Sequence, residues 1–180
     1  MNRVSETVKH LIIINIIFFV AVKLLGYNVY DSLALWYPKS KNFEIWQVFT
    51  HMFMHHPTFY LHILMNMFGL WMFGTPLEQM WGRNKFLFFY FSAGIGAVIL
   101  PWAIDLYQYN EAMQNLLSSG VSKEEINNLL SSGLDPYSQY KNVNVQKLNS
   151  IINKSSVGAS GALMGLIAAF GISFPNAKMA

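Results

Sequence analysis

The segment SVGASGALMGLIAAFG, residues 156–171, decides the fold of this chain. Ser160 lies between glycines at the start of an apolar run that continues to Phe174 and is followed by Pro175. A helix over this run would measure about 22 Å, whereas the hydrocarbon core of a bilayer is about 30 Å thick. If the C-terminal end reaches one membrane face, Ser160 lies below the other face. Irregular backbone is tolerated at that depth only beside protein or water, so we expect Ser160 to lie in a water-filled pocket.

The composition places the whole chain among integral membrane proteins. Of its residues, 53% are hydrophobic and 12% are charged, about half the charged fraction of a soluble domain. Three further apolar blocks, at 8–25, 60–73 and 86–104, precede the block that begins at Ser160. The sequence therefore predicts an all-α, polytopic membrane bundle with four transmembrane helices. Cysteine is absent, which excludes thiol catalysis, and the scattered positive charges argue against a nucleic-acid partner.

Two short segments predict the orientation in the membrane. One is the N-terminus before the first block, and the other is the turn between the second and third blocks. Their charged residues are Arg3, Glu6 and Lys9, and Glu78, Arg83 and Lys85. Both segments are net positive, and positive short segments favour the cytoplasm. The sequence thus predicts a cytoplasmic N-terminus, with segments 26–59 and 105–157 outside.

The two external segments differ in character. Segment 26–59 carries large apolar residues such as Trp36, Phe43, Trp46 and Phe49, so we expect a structured interfacial first loop. Segment 105–157 is rich in Asn, Ser and Gln and contains NLLSSG twice, at 115–120 and 128–133. A capping-box pattern begins at Ser122. We expect an external polar insertion folded as a short helical hairpin, with no chemistry of its own.

Ser160 has two interpretations. At a helix start, unpaired N–H groups and the positive end of the dipole can stabilise an anion, as catalysis by a serine requires. Alternatively, Gly161, Gly165 and Ala169 recur every four residues, which is the pattern of close helix packing. Ser160 would then belong to a packing stripe.

The second apolar block favours catalysis. HILMN places His62 and Asn66 four residues apart on one helix face, and polar side chains in a membrane are expected to face the protein interior. Together they could supply hydrogen-bond donors to an oxyanion. His51 and His55 have the same spacing and suggest a metal site instead, but no third ligand follows from the sequence.

Two stretches together resemble the rhomboid intramembrane serine proteases. They are WQVFTHMFMHHPTFYLHILMNMFGLWMFGTPLEQMWG at 46–82 and GASGALMG at 158–165. The similarity covers the chain from about Trp46 to Phe174, apart from the insertion at 105–155. A six-helix core is usual in that family, so the resemblance implies that residues 1–180 form a partial rhomboid membrane domain holding four of the six helices.

The resemblance also implies roles for individual residues. Ser160 would be the nucleophile, and His62, Asn66 and the backbone N–H of Ser160 would form the oxyanion hole. Gly158 would let the preceding loop approach closely, and Gly161 would support the same turn. The family's general base is a histidine on the sixth helix. No histidine follows Ser160 here, so the base is not in this chain, and the 180-residue chain alone is expected to be inactive.

The implied function is intramembrane serine endopeptidase activity on transmembrane protein substrates, without metal or cofactor. The expected location is the inner membrane of a bacterium, with the lipid bilayer as the other partner. Glu78 and Gly82 match the family's cytoplasmic turn, while Gln47 follows Trp46 where arginine is common. The alternative is a catalytically inactive rhomboid-like protein that binds membrane clients. A metal site or transporter is the third possibility.

Overall fold

The computed structural model describes residues 3–131 and 142–177, which are mostly helical. The described α-helices are α1 (Glu6–Leu25), α2 (Tyr27–Leu33), α3 (Gln47–Thr50), α4 (Tyr60–Gly69), α5 (Thr75–Trp81), α6 (Arg83–Ser118), α7 (Lys123–Ser131), α8 (Val143–Ile152) and α9 (Ser160–Ser173). A 3₁₀ turn (His51–Phe53) follows α3, and a π-helical turn (Leu70–Gly74) joins α4 to α5. Strands β1 (Leu35–Trp36) and β2 (Ser155–Ser156) form a two-stranded sheet.

Within the described residues, two helices are long and apolar enough to cross a membrane, namely α1 and α6. Helix α9 is apolar but has 14 residues. The run from Tyr60 to Trp81 is helical throughout, which corresponds to about 33 Å. The prediction of a helical membrane fold is confirmed, and the number of four spans stays a prediction.

Helix α6 extends further than the expected third block. It has 36 residues, or about 54 Å, and continues past Asp105 to Ser118. A charge ends an apolar run without breaking a helix, and the Asp105 carboxylate accepts a hydrogen bond from Lys154 at 2.9 Å. The helix stops before Gly120, whose φ of 87° suits glycine best. The first NLLSSG copy therefore closes α6, while the second runs into residues outside the described ranges.

The chain forms two compact units, of which the second comprises Trp36–Phe43 and Ile99–Ser155. Its described residues hold the end of α6 together with α7 and α8, and the expected helical hairpin stays a prediction. The hydroxyl of Ser122 accepts a hydrogen bond from the Glu125 N–H at 3.1 Å, which caps α7 as the sequence pattern indicates. The core of this unit consists of Tyr37, Tyr109, Ala112, Leu116, Ile126, Leu148 and Ile151.

The first unit comprises Met1–Leu35, Glu44–Val98 and Ser156–Ala180. Its core joins α1, the turns around α4 and α5, the first half of α6, and α9. The buried members of this core are Val8, Leu11, Met52, Leu70, Leu77, Phe86, Tyr90, Ala162 and Leu166. Many other apolar side chains of α1, α4 and α9 are exposed, as is appropriate for helices whose outer faces meet lipid.

The N-terminus of α1 is capped by a residue distant in sequence. The buried carboxylate of Glu78 accepts hydrogen bonds from the Thr7 and Val8 N–H groups, each at 3.0 Å, and from the hydroxyl of Ser5. Two of the four N–H groups that a helix start leaves unpaired are thus satisfied by an anion. This contact ties α5 to α1.

Glu78→Gln should lower the free energy of unfolding by about 2 kcal/mol, since hydrogen bonds to a charged group contribute about 1.5–3 kcal/mol each and the amide keeps one acceptor. Thermal unfolding of the detergent-solubilised protein measures the loss. Glu6→Gln is the matched control, because Glu6 is exposed at the same helix start. Equal stability of the two variants would contradict the capping role of Glu78.

Candidate active site

Ser160 is the first residue of α9 and is partly buried. The loop before it turns at Gly158, where φ is 118°, a conformation that L side chains rarely adopt. A Cβ at Gly158 would lie 3.1 Å from His62 Nε2 and 3.5 Å from Ser160 Oγ. The absence of a side chain at Gly158 therefore leaves the serine hydroxyl and the imidazole facing one shared small space.

The Gly158 turn is held in place by the segment after α3. The Gly158 N–H donates to the carbonyl oxygen of His51 at 2.8 Å. His51 is buried, and its Nδ1 contacts the carbonyl oxygen of Gln47 at 2.9 Å. These two hydrogen bonds link the first loop to the residues immediately before Ser160.

Gln47 anchors this first loop, although the resemblance leads one to expect arginine there. Its side chain is fully buried. Its Nε2 donates to the carbonyl oxygens of Asp31 and Ser32, each at 3.4 Å, and its Oε1 accepts from the Glu44 N–H at 3.1 Å. All three partners are neutral backbone groups. A neutral amide therefore satisfies this buried position without a charge to compensate.

The glycines of α9 pack closely against a neighbouring helix, as the helix-packing interpretation of this segment predicts. A Cβ on Gly161 would approach Ala97 Cβ to 2.7 Å, and one on Gly165 would approach Ala93 Cβ to 2.6 Å. These glycines therefore allow α9 to lie closely against α6. The Ser160 hydroxyl lies beside Gly158 instead, outside this contact, so packing explains the glycines and leaves the serine unexplained.

His62 and Asn66 both lie beside His55. Asn66 is 4% exposed, and its Nδ2 contacts His55 Nε2 at 3.0 Å. The rings of His55 and His62 are 5.1 Å apart between centroids, and Phe59 stacks on His62 at 6.1 Å. The structure thus places Ser160 and His62, 98 residues apart in sequence, beside the same Gly158 turn. Asn66 is connected to His62 through His55, which contacts both residues.

Sequence reasoning left His55 out of the candidate site, because its spacing from His51 suggested only a metal alternative without a third ligand. Burial lowers the pKa of His55 to about 4, and the neighbouring His62 adds to this effect. The ring is therefore neutral at pH 7, and Nε2 can accept from Asn66. His51 Nδ1 contacts the Gln47 carbonyl oxygen, whereas His55 Nε2 contacts Asn66. Residues 3–131 and 142–177 contain no group of three or more potential metal ligands.

The lowered pKa of His55 predicts a pH dependence of stability. Between about pH 6.5 and 4 the unfolded chain binds a proton that the folded protein does not, so stability falls with decreasing pH by about 3 kcal/mol. His55→Gln keeps an acceptor for Asn66 and cannot titrate, and its melting temperature should fall less steeply over this range. His51, whose pKa burial also lowers, contributes to the remaining slope.

The control for this measurement is His56→Gln, because His56 is adjacent but exposed. Its melting temperature should follow the wild-type pH profile. A His55→Gln profile as steep as that of the wild type would contradict the neutral, buried state of His55.

Fold and site together describe a helical membrane protein with a serine at a helix start, beside a glycine turn that it shares with His62. Comparison with known families agrees with this description. The Rhomboid domain matches residues 42–180, which is more than half of the chain. The chain belongs to the rhomboid family.

Individual relatives align over shorter stretches. Rhomboid-like protease 3 of Toxoplasma gondii is 32% identical over 78 residues, which are 41% of this chain and 29% of that protein. Rhomboid protease GlpG of Pectobacterium atrosepticum is 26% identical over 91 residues, 51% of this chain and 31% of the relative. Rhomboid protease GlpG of Salmonella typhi is 30% identical over 73 residues, which are 40% of this chain and 26% of that protein. The aligned part thus spans less than a third of each relative.

Proposed function

We propose that this chain is part of an intramembrane serine endopeptidase that cleaves transmembrane protein substrates, with Ser160 as the nucleophile. The observation that carries the proposal is the Gly158 turn, beside which the Ser160 hydroxyl and the His62 imidazole both lie. A packing role for Ser160 requires neither the strained φ of Gly158 nor the nearby imidazole. Membership of a family whose named relatives are proteases supports the same assignment.

The oxyanion hole in this proposal consists of His62, Asn66 and the Ser160 N–H. The Ser160 N–H lies at the start of α9, where backbone donors are unpaired and the helix dipole favours negative charge. Asn66 uses one amide N–H for His55 and retains a second. His55 therefore orients the Asn66 amide, and such preorganised donors are what stabilises a tetrahedral intermediate.

The chemistry follows from these positions. A base removes the Ser160 hydroxyl proton, Oγ bonds to the scissile carbonyl carbon, and the negative charge moves to the carbonyl oxygen inside the oxyanion hole. Collapse of the intermediate breaks the C–N bond, the amine leaves with a proton from the base, and water then hydrolyses the acyl-enzyme. We assign the base to a histidine outside residues 1–180. The His62 imidazole cannot readily donate a hydrogen bond to the oxyanion and remove the Ser160 proton in the same step.

The membrane arrangement is also a proposal. Four helical segments cross the membrane, namely α1, α6, the continuous helical run from Tyr60 to Trp81, and α9. The N-terminus lies in the cytoplasm of a bacterium. The second unit is then external. Because the sequence has no cysteine, Glu124→Cys introduces a unique thiol at an exposed position of α7. An impermeant thiol reagent should label it in intact spheroplasts, and labelling only after lysis would reverse the orientation.

Cleavage of a membrane-embedded substrate tests the function. A purified single-pass transmembrane protein is reconstituted in liposomes with the protein translated from the complete coding region, and mass spectrometry locates the cut. The expected result is one cut within or beside the substrate's transmembrane segment. Stable binding of the substrate without any cut would favour the inactive client-binding alternative.

A further inference from the structure

A cavity of about 310 Å³ lies in the second unit and is lined by none of the candidate active-site residues. Lys39 and Lys41 contribute from the loop that follows β1, and Tyr109 contributes from α6. Leu130 and Ile152 provide an apolar edge on the side of α7 and α8. The cavity therefore combines two positive charges with an apolar rim.

The aromatic ring of Tyr109 positions one of these charges. Lys39 Nζ lies 4.5 Å from the centroid of the buried Tyr109 ring, which is a cation–π contact. Lys41 is exposed beside the same cavity. Within the part of the chain that the structure describes, neither lysine forms an ion pair.

Two carboxylates of the same unit, both on α6, are engaged by other lysines. Asp105 is buried and pairs with Lys154 at 2.9 Å, while Glu111 pairs with Lys147 at 2.8 Å. These two acidic residues of α6 are thus neutralised by their own partners. Among the described residues, Lys39 and Lys41 have no paired carboxylate, so the positive charge at the cavity can meet an anion from outside the chain.

The position of Tyr109 along α6 indicates which anion can reach the cavity. The apolar block of α6 ends at Asp105, so in the proposed span of α6 Tyr109 would lie one turn, about 6 Å, beyond the hydrocarbon core. The headgroup layer extends roughly 5–8 Å beyond that core on each side. Phe43, from the loop that carries both lysines, packs on Trp102 one turn before Asp105, and tryptophan favours this depth.

We propose that this cavity binds the phosphodiester headgroup of an anionic phospholipid. Lys39 and Lys41 contact the phosphate, and Leu130 and Ile152 contact the glycerol and the upper acyl chain. The site rests on the proposed span of α6 but depends on neither the proteolytic function nor the orientation of the chain, because lipid headgroups lie on both membrane faces. Its occupant would tie the second unit to the bilayer surface.

Native mass spectrometry of the detergent-solubilised protein, titrated with phosphatidylglycerol or phosphatidylcholine, tests this site. The wild type should prefer phosphatidylglycerol, and Lys39→Ala with Lys41→Ala should weaken its binding about thirtyfold, given the usual contribution of two lysines near an anionic surface. Lys39→Arg with Lys41→Arg should retain binding. Lys123→Ala with Lys147→Ala removes the same charge from the same unit outside the cavity lining, and should also retain it.

Three outcomes would overturn the proposal. Equal affinity for the two lipids would show that no headgroup charge is recognised. Equal losses in the two alanine pairs, at unchanged melting temperatures, would reduce the effect to net charge. Glycerol phosphate binding as tightly as phosphatidylglycerol would make the cavity a site for a soluble phosphate.

Discussion

Ser160 in the 180-residue chain should react with a fluorophosphonate probe about 10²–10⁴-fold more slowly than Ser160 in the protein translated from the complete coding region, which is the usual contribution of a general base. Attack on phosphorus requires removal of the hydroxyl proton, and a serine hydroxyl without a base is a weak nucleophile. No histidine follows Ser160 in this chain. The oxyanion donors cannot replace the base, because they stabilise a negative charge that forms only when the deprotonated serine attacks.

Probe incorporation is followed over time in both lengths, with Ser160→Ala as the blank that subtracts labelling of other hydroxyls. Ser156→Ala is the matched control, since Ser156 is an exposed serine in the same loop, and it should label as fast as the wild type. Equal rates in the two lengths would make a histidine within residues 1–180 the base. His62 lies beside the Ser160 loop, so its assignment to the oxyanion hole would then be wrong.

Asn66→Ala in the active protein should lower kcat about 10²–10³-fold, the range for loss of one oxyanion donor, while KM changes little. In this proposal Asn66 donates to the oxyanion of the transition state and makes little contact with the bound substrate. Steady-state cleavage of the liposome substrate gives both constants. The variant should also keep most of its stability, because His55, which loses its partner, is neutral.

The control for this prediction is Met65→Ala, the neighbouring position on α4, which is 56% exposed and faces away from the site. Its kcat should equal that of the wild type. A rise in KM with unchanged kcat in Asn66→Ala would place Asn66 in substrate binding instead of the oxyanion hole. Wild-type kinetics would leave the pair of His62 and Asn66 as a packing feature only.

The helical membrane fold could be predicted from the sequence because its signals are local. A run of apolar residues needs no partner to identify it, and Gly120 and Ser122 mark helix ends by backbone geometry and a hydrogen bond over three residues. That His62 and Asn66 lie in one helix, α4, was predictable for the same reason, since helical spacing places residues four apart on one face. The end of α6 could not be predicted, because a charged residue such as Asp105 ends an apolar run while the helix continues.

The sequence by itself determined which residues are able to do chemistry: one serine at a short apolar helix, a histidine and an asparagine on one helix face, and no cysteine. Only the tertiary structure decided how they meet. Contacts such as Gly158 beside His62, His55 beside Asn66 and Glu78 at the start of α1 join residues from separate elements. Their formation depends on how those helices pack, and no periodicity within one segment records it. Burial follows from the same packing, which is why the lowered pKa of His55 could not be predicted from its spacing with His51.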